Sequence, residues 1–77
     1  MTKPKPIRAG VIGLGVGEQH LKSYQAIENC EVTAICDIDE RHLNAIGDGY
    51  GVGLRSTDYS TVTENPDIDV VSICSYD

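Results

Sequence analysis

The stretch Ala9-Gly-Val-Ile-Gly-Leu-Gly-Val-Gly-Glu-Gln-His-Leu21 decides the fold, because an apolar run passes through closely spaced glycines into a helical pattern. Residues 7–12 are mostly apolar, which is typical of a strand buried on both faces. From Glu18 to Glu28 the pattern is amphipathic, with Asn29 as a stop. Its apolar stripe comprises Leu21, Tyr24 and Ile27. The stretch therefore predicts a strand, a glycine turn and a helix.

The middle of the chain repeats this alternation of strand and helix. Residues 31–36 are β-branched and apolar, which predicts a second strand ending near Cys36. A second helix is predicted at roughly 40–47, with Leu43, Ile46 and Tyr50 as its apolar stripe. Glycines alternate through residues 47–53, and because glycine weakens a helix, we expect fraying and a mobile loop there.

The last part of the chain predicts two more strands around a short helix. Residues 54–56 form a brief strand, and Asp58 caps a helix through Glu64 that Pro66 ends. Residues 68–74 are predicted to be the last strand. Helical connections of this length imply right-handed crossovers. The sequence therefore predicts an α/β fold, a doubly wound parallel sheet in the order 3-2-1-4.

The glycine turn Gly13-Leu-Gly15-Val-Gly17 lies where a dinucleotide-binding fold needs backbone without side chains. One glycine allows the tight turn, and another lets a pyrophosphate approach the main chain. The free N–H groups and the positive dipole at the start of the helix then hold the phosphates. The turn therefore predicts a dinucleotide site.

An acidic residue follows the second strand at the distance that this fold requires. Asp37 lies 22 residues beyond Gly15, close to the spacing of about 20 expected for a carboxylate that bonds the adenosine ribose. A carboxylate there repels the 2′-phosphate of NADP, and Asp39 and Glu40 strengthen that preference. Arg41 offsets part of the charge. The sequence predicts NAD as cofactor, with NADP possible.

The turn departs from a strict G-x-G-x-x-G, because position 18 is Glu and the third glycine is Gly17. Either Gly17 takes the third role in a turn one residue shorter, or the site is distorted. Glu18 either faces solvent, where it favours the helix dipole, or occupies the anion site itself. We favour the solvent-facing position.

Composition excludes several function classes. Six Lys and Arg against twelve Asp and Glu give a net charge of −6, which disfavours nucleic acids and anionic membranes as partners. No stretch is apolar enough to be a membrane span or a signal peptide. The three cysteines form no C-x-x-C pair, so we expect reduced cysteines in a cytoplasmic protein, with no metal.

Four segments together resemble the glucose-fructose oxidoreductase, inositol dehydrogenase and rhizopine-catabolism family (Gfo/Idh/MocA). They are residues 9–21, Glu31-Val-Thr-Ala-Ile-Cys-Asp37, Thr57-Asp-Tyr59 and Asn65-Pro-Asp-Ile-Asp-Val-Val-Ser-Ile-Cys74. The resemblance covers nearly the whole chain. It implies that residues 1–77 are the N-terminal part of a Rossmann domain in a two-domain, NAD(P)-dependent enzyme that is often dimeric.

The resemblance implies hydride transfer between nicotinamide and a sugar or cyclitol hydroxyl carbon. The family's general base belongs to a Lys motif shortly after the fourth strand, so we assign no catalytic residue here and expect this chain alone to be inactive. The family usually has Thr-Pro-Asn at the end of that strand, where this sequence has Ser75-Tyr76-Asp77. His20 matches a family position, and we expect it to pack or cap the helix. The candidate cofactor-binding residues are Gly13, Leu14, Gly15, Val16, Gly17, Asp37, Ile38, Arg41, Cys74 and Ser75.

Two other functions are compatible with the same residues. A Rossmann module can bind a nucleotide for regulation without catalysis, and a downstream Lys motif and second domain would favour the enzyme instead. A methyltransferase that binds S-adenosylmethionine also has a glycine turn and a later acid. However, such turns usually have a carboxylate two residues before the first glycine, and Val11 stands there.

The predicted strand order places the fourth strand at an edge of the sheet, where unpaired backbone groups favour association with another copy. We therefore expect this chain to form homo-oligomers through that strand. Light scattering at high protein concentration checks this expectation. A stable monomer would contradict it.

Overall fold

The computed structural model describes residues 5–74 and contains one parallel sheet with helices on both faces. Its elements follow the alternating order predicted from the sequence. They are β1 (Ile7–Ile12), α1 (Gly17–Ala26), β2 (Cys30–Cys36), α2 (Glu40–Tyr50), β3 (Leu54–Ser56), α3 (Ser60–Thr63) and β4 (Val70–Ile73). The strand order is β3-β2-β1-β4 with every pairing parallel, so the predicted fold is confirmed.

The two faces of the sheet carry separate apolar cores. On one face Val11 and Ile35 pack with Leu21 of α1 and Leu43 and Ile46 of α2, all buried. On the other face the buried cluster comprises Ile12, Ala34, Cys36 and Val62 of α3. Strands β1 and β2 are therefore covered on both sides, which explains why they are nearly continuous apolar runs.

A bulge in β2 sets the register of the central strands. Ala9 pairs with Val32 but Gly10 pairs with Ala34, so Thr33 is the extra residue of β2. Since side chains alternate between faces, one unpaired residue changes which of the following side chains point to each face. The bulge brings Cys36 level with Ile12 at the carboxyl ends of the two strands.

Helix α1 is shorter than predicted. It ends at Ala26, and Ile27 adopts an extended backbone and is 53% exposed, so the prediction that it belongs to the helical stripe is wrong. Asn29 has a φ of 66° and turns the chain towards β2, but α1 has already ended at Ala26, so the prediction that Asn29 stops the helix is wrong. His20 is exposed within α1, and no side chain caps the start of this helix, so the prediction that His20 packs or caps the helix is also wrong.

Helix α2 does not fray at its glycines, and this prediction is wrong. It continues through Gly47 and Gly49 to Tyr50 because its last turn is held by neighbouring elements. The Tyr50 carbonyl accepts a hydrogen bond from Gln25 Nε2 at 3.1 Å. The helix stops at Gly51, whose φ of 72° lies in the left-handed region that favours glycine.

The predicted bounds of the last two elements also shift. The helix α3 spans only four residues, and Asp58 Oδ1 accepts hydrogen bonds from the Ser60 N–H at 3.0 Å and its hydroxyl at 2.8 Å. These bonds lower the pKa of Asp58. Strand β4 is shorter than residues 68–74, because Ile68 precedes it and packs on the core below α3.

The two glycines near the end of α2 give a matched test of this description. Gly49 lies in the helix with open space around its Cβ position, so Gly49→Ala should stabilise the protein by about 0.5–1 kcal/mol. Gly51→Ala should destabilise it by about 1–2 kcal/mol, because alanine is strained at a positive φ. Urea unfolding monitored by circular dichroism measures both. Equal effects would show that α2 does not end as described.

Candidate functional site

The carboxyl ends of the four strands lie side by side and form the floor of a cleft. Ile12 is level with Cys36 and Ile73, and Cys36 is level with Ser56. The residue that follows each of these strand ends lines the cleft. These four residues are Gly13, Asp37, Thr57 and Cys74. Ligands of open parallel sheets bind at this edge, so the topology itself places the candidate site.

The glycine bend forms one wall of the cleft. Gly13 has a φ of 85°, and its N–H donates to the Cys36 carbonyl at 2.9 Å, which joins the bend to β2. Gly15 and Val16 line the cleft. Among residues 5–74, no acceptor is hydrogen-bonded to the N–H of Gly15 or of Val16. The bend thus presents two free amides just before α1.

Gly17 takes the role of the third glycine, which answers the question left open by the missing glycine at position 18. A Cβ at Gly17 would lie 2.9 Å from Val11 Cγ1 and 3.6 Å from Cys74 Cβ. Only glycine therefore lets α1 begin so close to β1 and the end of β4. Gly17 is buried and supports the bend from beneath.

Asp37 lies at the mouth of the glycine bend and is hydrogen-bonded to it. Its Oδ2 accepts from the Leu14 N–H at 2.8 Å, and its Oδ1 accepts from the Asp39 N–H at 2.8 Å. These bonds fix the carboxylate plane at the cleft. Because a carboxylate has about four acceptor positions, both oxygens can still accept hydrogen bonds from a ligand.

Glu18 does not occupy the anion site. Its Oε2 accepts a hydrogen bond from the Tyr50 hydroxyl at 2.7 Å, and its side chain does not contribute to the cleft lining. This hydrogen bond raises the pKa of Tyr50. The carboxylate joins α1 to α2, and the cleft remains open to an anionic ligand.

Several candidate residues lie elsewhere than expected. The Leu14 side chain is fully buried in the core, and only its backbone faces Asp37. Arg41 is exposed on α2, and like Gly17 it does not line the cleft. Ser75 lies outside the described residues. Gly13, Gly15, Val16, Asp37, Ile38 and Cys74 do line the cleft together.

Sequence reasoning missed part of the lining. Ile12, Cys36, Thr57, Tyr59 and Ile73 also line the cleft, which has a volume of about 620 Å³. The signal was available for Thr57, since it directly follows a predicted strand. Tyr59 is 65% exposed and Ile38 91% exposed, so the far wall offers apolar surface to a ligand. Burial raises the pKa of the Cys36 thiol, with Asp37 and Asp58 adding to the effect.

Two classes of feature are missing from the part of the chain that the structure covers. Within residues 5–74, no helix combines the length and apolar character needed to cross a bilayer. In the same range, no three His, Cys, Asp or Glu side chains converge on a possible metal position.

The fold and the cleft define a dinucleotide-binding Rossmann domain. Its features are a parallel sheet in the order β3-β2-β1-β4, a glycine bend before α1, and a carboxylate after β2 that faces the bend. A ligand with a diphosphate and a ribose has complementary groups for each of these parts.

Comparison with known proteins agrees with this class. The family described as "Oxidoreductase family, NAD-binding Rossmann fold" matches residues 7–77. Myo-inositol 2-dehydrogenase of Thermotoga maritima is 34% identical over 70 residues, which are 90% of this chain and 21% of that protein. The chain belongs to this family, the Gfo/Idh/MocA oxidoreductases, as its sequence motifs indicated.

Solved structures of similar proteins share the fold. A probable dehydrogenase from Thermotoga maritima has a TM-score of 0.87 and 34% identity, with 91% of this chain and 21% of that chain covered. Scyllo-inositol dehydrogenase from Lactobacillus casei, solved with NAD(H) and scyllo-inositol, has a TM-score of 0.83 and 27% identity, covering 94% and 22%. This chain therefore spans about a fifth of the length of these relatives. The family's NAD-binding fold agrees with the predicted cofactor and does not support the methyltransferase alternative.

Alanine substitutions at Gly17 and Gly15 compare the tightly packed glycine beneath the bend with the glycine on its open side. Gly17→Ala should lower the free energy of unfolding by about 1–3 kcal/mol, because its Cβ would overlap Val11. Gly15→Ala meets no atom within 4 Å and should change it by less than about 0.5 kcal/mol. Thermal unfolding monitored by circular dichroism compares them. Equal losses would contradict the tight seating of α1 at Gly17.

Proposed function

We propose that this chain is the NAD-binding portion of an oxidoreductase that transfers hydride between nicotinamide and a hydroxyl carbon of a sugar or polyol. The proposal rests on one observation above all: the glycine bend and the Asp37 carboxylate line the same cleft and are hydrogen-bonded to each other. Residues 1–77 are then the N-terminal part of the dinucleotide-binding domain.

The diphosphate of NAD is assigned to the start of α1. The free N–H groups of Gly15 and Val16 can donate to phosphate oxygens, and the positive end of the ten-residue helix attracts their charge. Gly15 has open space where a side chain would otherwise keep the phosphates away. The bend therefore offers hydrogen-bond donors, a positive electrostatic field and open space to the diphosphate.

The adenosine half is assigned to the end of β2. Asp37 accepts hydrogen bonds from the ribose hydroxyls, and the exposed side chains of Ile38 and Tyr59 cover the adenine. Cys74 also lines the cleft. Bound NAD supplies the hydride acceptor, and these residues hold and orient it.

The charges around the ribose position favour NAD over NADP. Asp37, Asp39 and Glu40 are three acidic residues between the end of β2 and the first turn of α2, and a 2′-phosphate would lie beside them. Arg41 is exposed and forms no ion pair among the described residues, so it remains able to meet a phosphate in solvent. NADP should bind, but more weakly.

The substrate class is proposed from the relatives. Their names state inositol as substrate, which is a ring of hydroxyl-bearing carbons. This chain spans only about a fifth of those proteins, so we assign its described residues to the cofactor and none to acid–base catalysis. The chemical step belongs to the oxidoreductase as a whole.

The assembly and the cellular location are also proposals. Strand β4 lies at an edge of the described sheet, with Val70 38% and Ile73 67% exposed, which supports association of two copies there. Cys30, Cys36 and Cys74 are free thiols, which supports a reducing, cytoplasmic location.

The ribose assignment is tested by comparing NADH and NADPH binding to Asp37→Ala. We expect Asp37→Ala to bind NADH about tenfold more weakly. The ratio of NADH affinity to NADPH affinity should also fall about tenfold, because one nearby charge that repels the 2′-phosphate is removed. Fluorescence titration measures both affinities. The ratio of the two affinities is informative because a loosened bend would weaken the binding of NADH and NADPH equally.

Glu28→Ala is the matched control for this experiment, since Glu28 is an exposed acid after α1 at the opposite end of the sheet. It should leave both affinities unchanged. If NADH binds to Asp37→Ala with wild-type affinity, or if the NADH to NADPH ratio does not move, the ribose assignment is wrong.

A further inference from the structure

A histidine outside the cleft is hydrogen-bonded to a peptide group within the glycine bend. The Nε2 of His42 lies 3.2 Å from the carbonyl oxygen of Leu14. Because a carbonyl can only accept, Nε2 must carry the proton of this hydrogen bond. His42 is half-buried in the first turn of α2, and its own N–H is held by Asp39 Oδ1 at 3.2 Å.

The Leu14 carbonyl and the Gly15 N–H belong to one trans peptide group, so they point in opposite directions. When His42 binds the carbonyl, the Gly15 N–H is directed away from His42. Gly15 lines the cleft, and its N–H has no hydrogen-bond acceptor among the described residues. The orientation of that amide therefore depends on a contact made on the other side of the peptide.

This peptide needs such a contact because a glycine follows it. Rotation of a peptide plane requires changes in the ψ of the preceding residue and the φ of the next one, and glycine accepts φ values of either sign. Gly15 has no side chain, which leaves room for the diphosphate. The same feature makes the Leu14–Gly15 peptide plane easy to rotate. A hydrogen bond to its carbonyl opposes that rotation.

His42 and Asp37 hold adjacent peptide groups of the bend. Asp37 Oδ2 accepts from the Leu14 N–H, and Asp37 Oδ1 accepts from the Asp39 N–H. Asp39 Oδ1 accepts from the His42 N–H, and the His42 ring returns to the Leu14 carbonyl. These hydrogen bonds close a ring that joins the bend to the start of α2.

We propose that His42 is a positioning residue for diphosphate binding: its Nε2–H fixes the Leu14–Gly15 peptide so that the Gly15 amide is preset for a phosphate oxygen. This inference rests on the proposed function, because it concerns the same cleft. It adds a residue that touches neither the cofactor nor the cleft. The proposal predicts different effects on the two halves of the cofactor. His42 affects binding of the diphosphate, whereas Asp37 and the apolar wall can bind adenosine without it.

The test compares ADP with adenosine as ligands for His42→Leu. ADP uses the bend, whereas adenosine lacks phosphates and uses only the ribose and adenine positions. We expect His42→Leu to bind ADP about tenfold more weakly, as expected for a misaligned hydrogen bond to a charged group, and to bind adenosine as the wild type does. Titrations followed by amide resonances in ¹H–¹⁵N NMR spectra measure both, including the Gly15 resonance itself.

Two polar variants distinguish positioning from packing. In His42→Gln the side-chain amide nitrogen reaches about as far as Nε2, so ADP affinity should return to within about threefold of wild type. In His42→Asn the amide is too short to reach the carbonyl, so ADP binding should stay weak. His20→Leu is the matched control, because His20 is an exposed histidine on α1, and it should change neither affinity.

Three results would overturn the inference. First, His42→Leu could bind ADP with wild-type affinity. Second, His42→Leu could lose affinity for ADP and for adenosine equally. Third, His42→Gln could fail to restore ADP binding and bind ADP as weakly as His42→Asn. A wild-type chain that binds neither ligand would instead overturn the proposed function, and this inference with it. The adenosine titration of the wild type therefore distinguishes the two failures.

Discussion

The hydrogen bond from the Leu14 N–H to Asp37 Oδ2 is the interaction on which the site depends. It joins the bend after β1 to the first residue after β2, so that the two parts of the cleft face each other at a fixed distance. The Gly13 N–H, which donates to the Cys36 carbonyl, places the same two segments in register. Without these contacts, the sheet would still form, but the donors of the bend and the carboxylate would not be held together.

The sheet makes that interaction possible through its register. The extra residue at Thr33 brings the end of β2 level with the end of β1, and Asp37 consequently lies beside Gly13. The cores on both faces hold β1 and β2 rigidly, since the side chains at the ends of these strands are buried. Gly17 then lets α1 start directly beneath the bend. Local backbone geometry, strand register and helix packing therefore converge on one cleft.

The sequence predicted those parts of the fold in which local pattern and tertiary contact agree. The strand order, the bend at Gly13 and Gly15 and the position of Asp37 follow from apolar periodicity and spacing. The length of α2 could not be predicted, because helix propensity at Gly47 and Gly49 is overridden by contacts that α1 makes with Tyr50. Tyr59 and His42 were missed for a related reason. Each reaches the bend or the cleft from a different element, and no local pattern encodes that approach.

The most direct test of this account is a crystal structure of the chain with bound NAD. The account predicts diphosphate oxygens within hydrogen-bonding distance of the Gly15 and Val16 N–H groups, with both ribose hydroxyls of the adenosine against the Asp37 carboxylate. NAD bound away from the carboxyl ends of the strands, or with its ribose turned away from Asp37 into solvent, would contradict it.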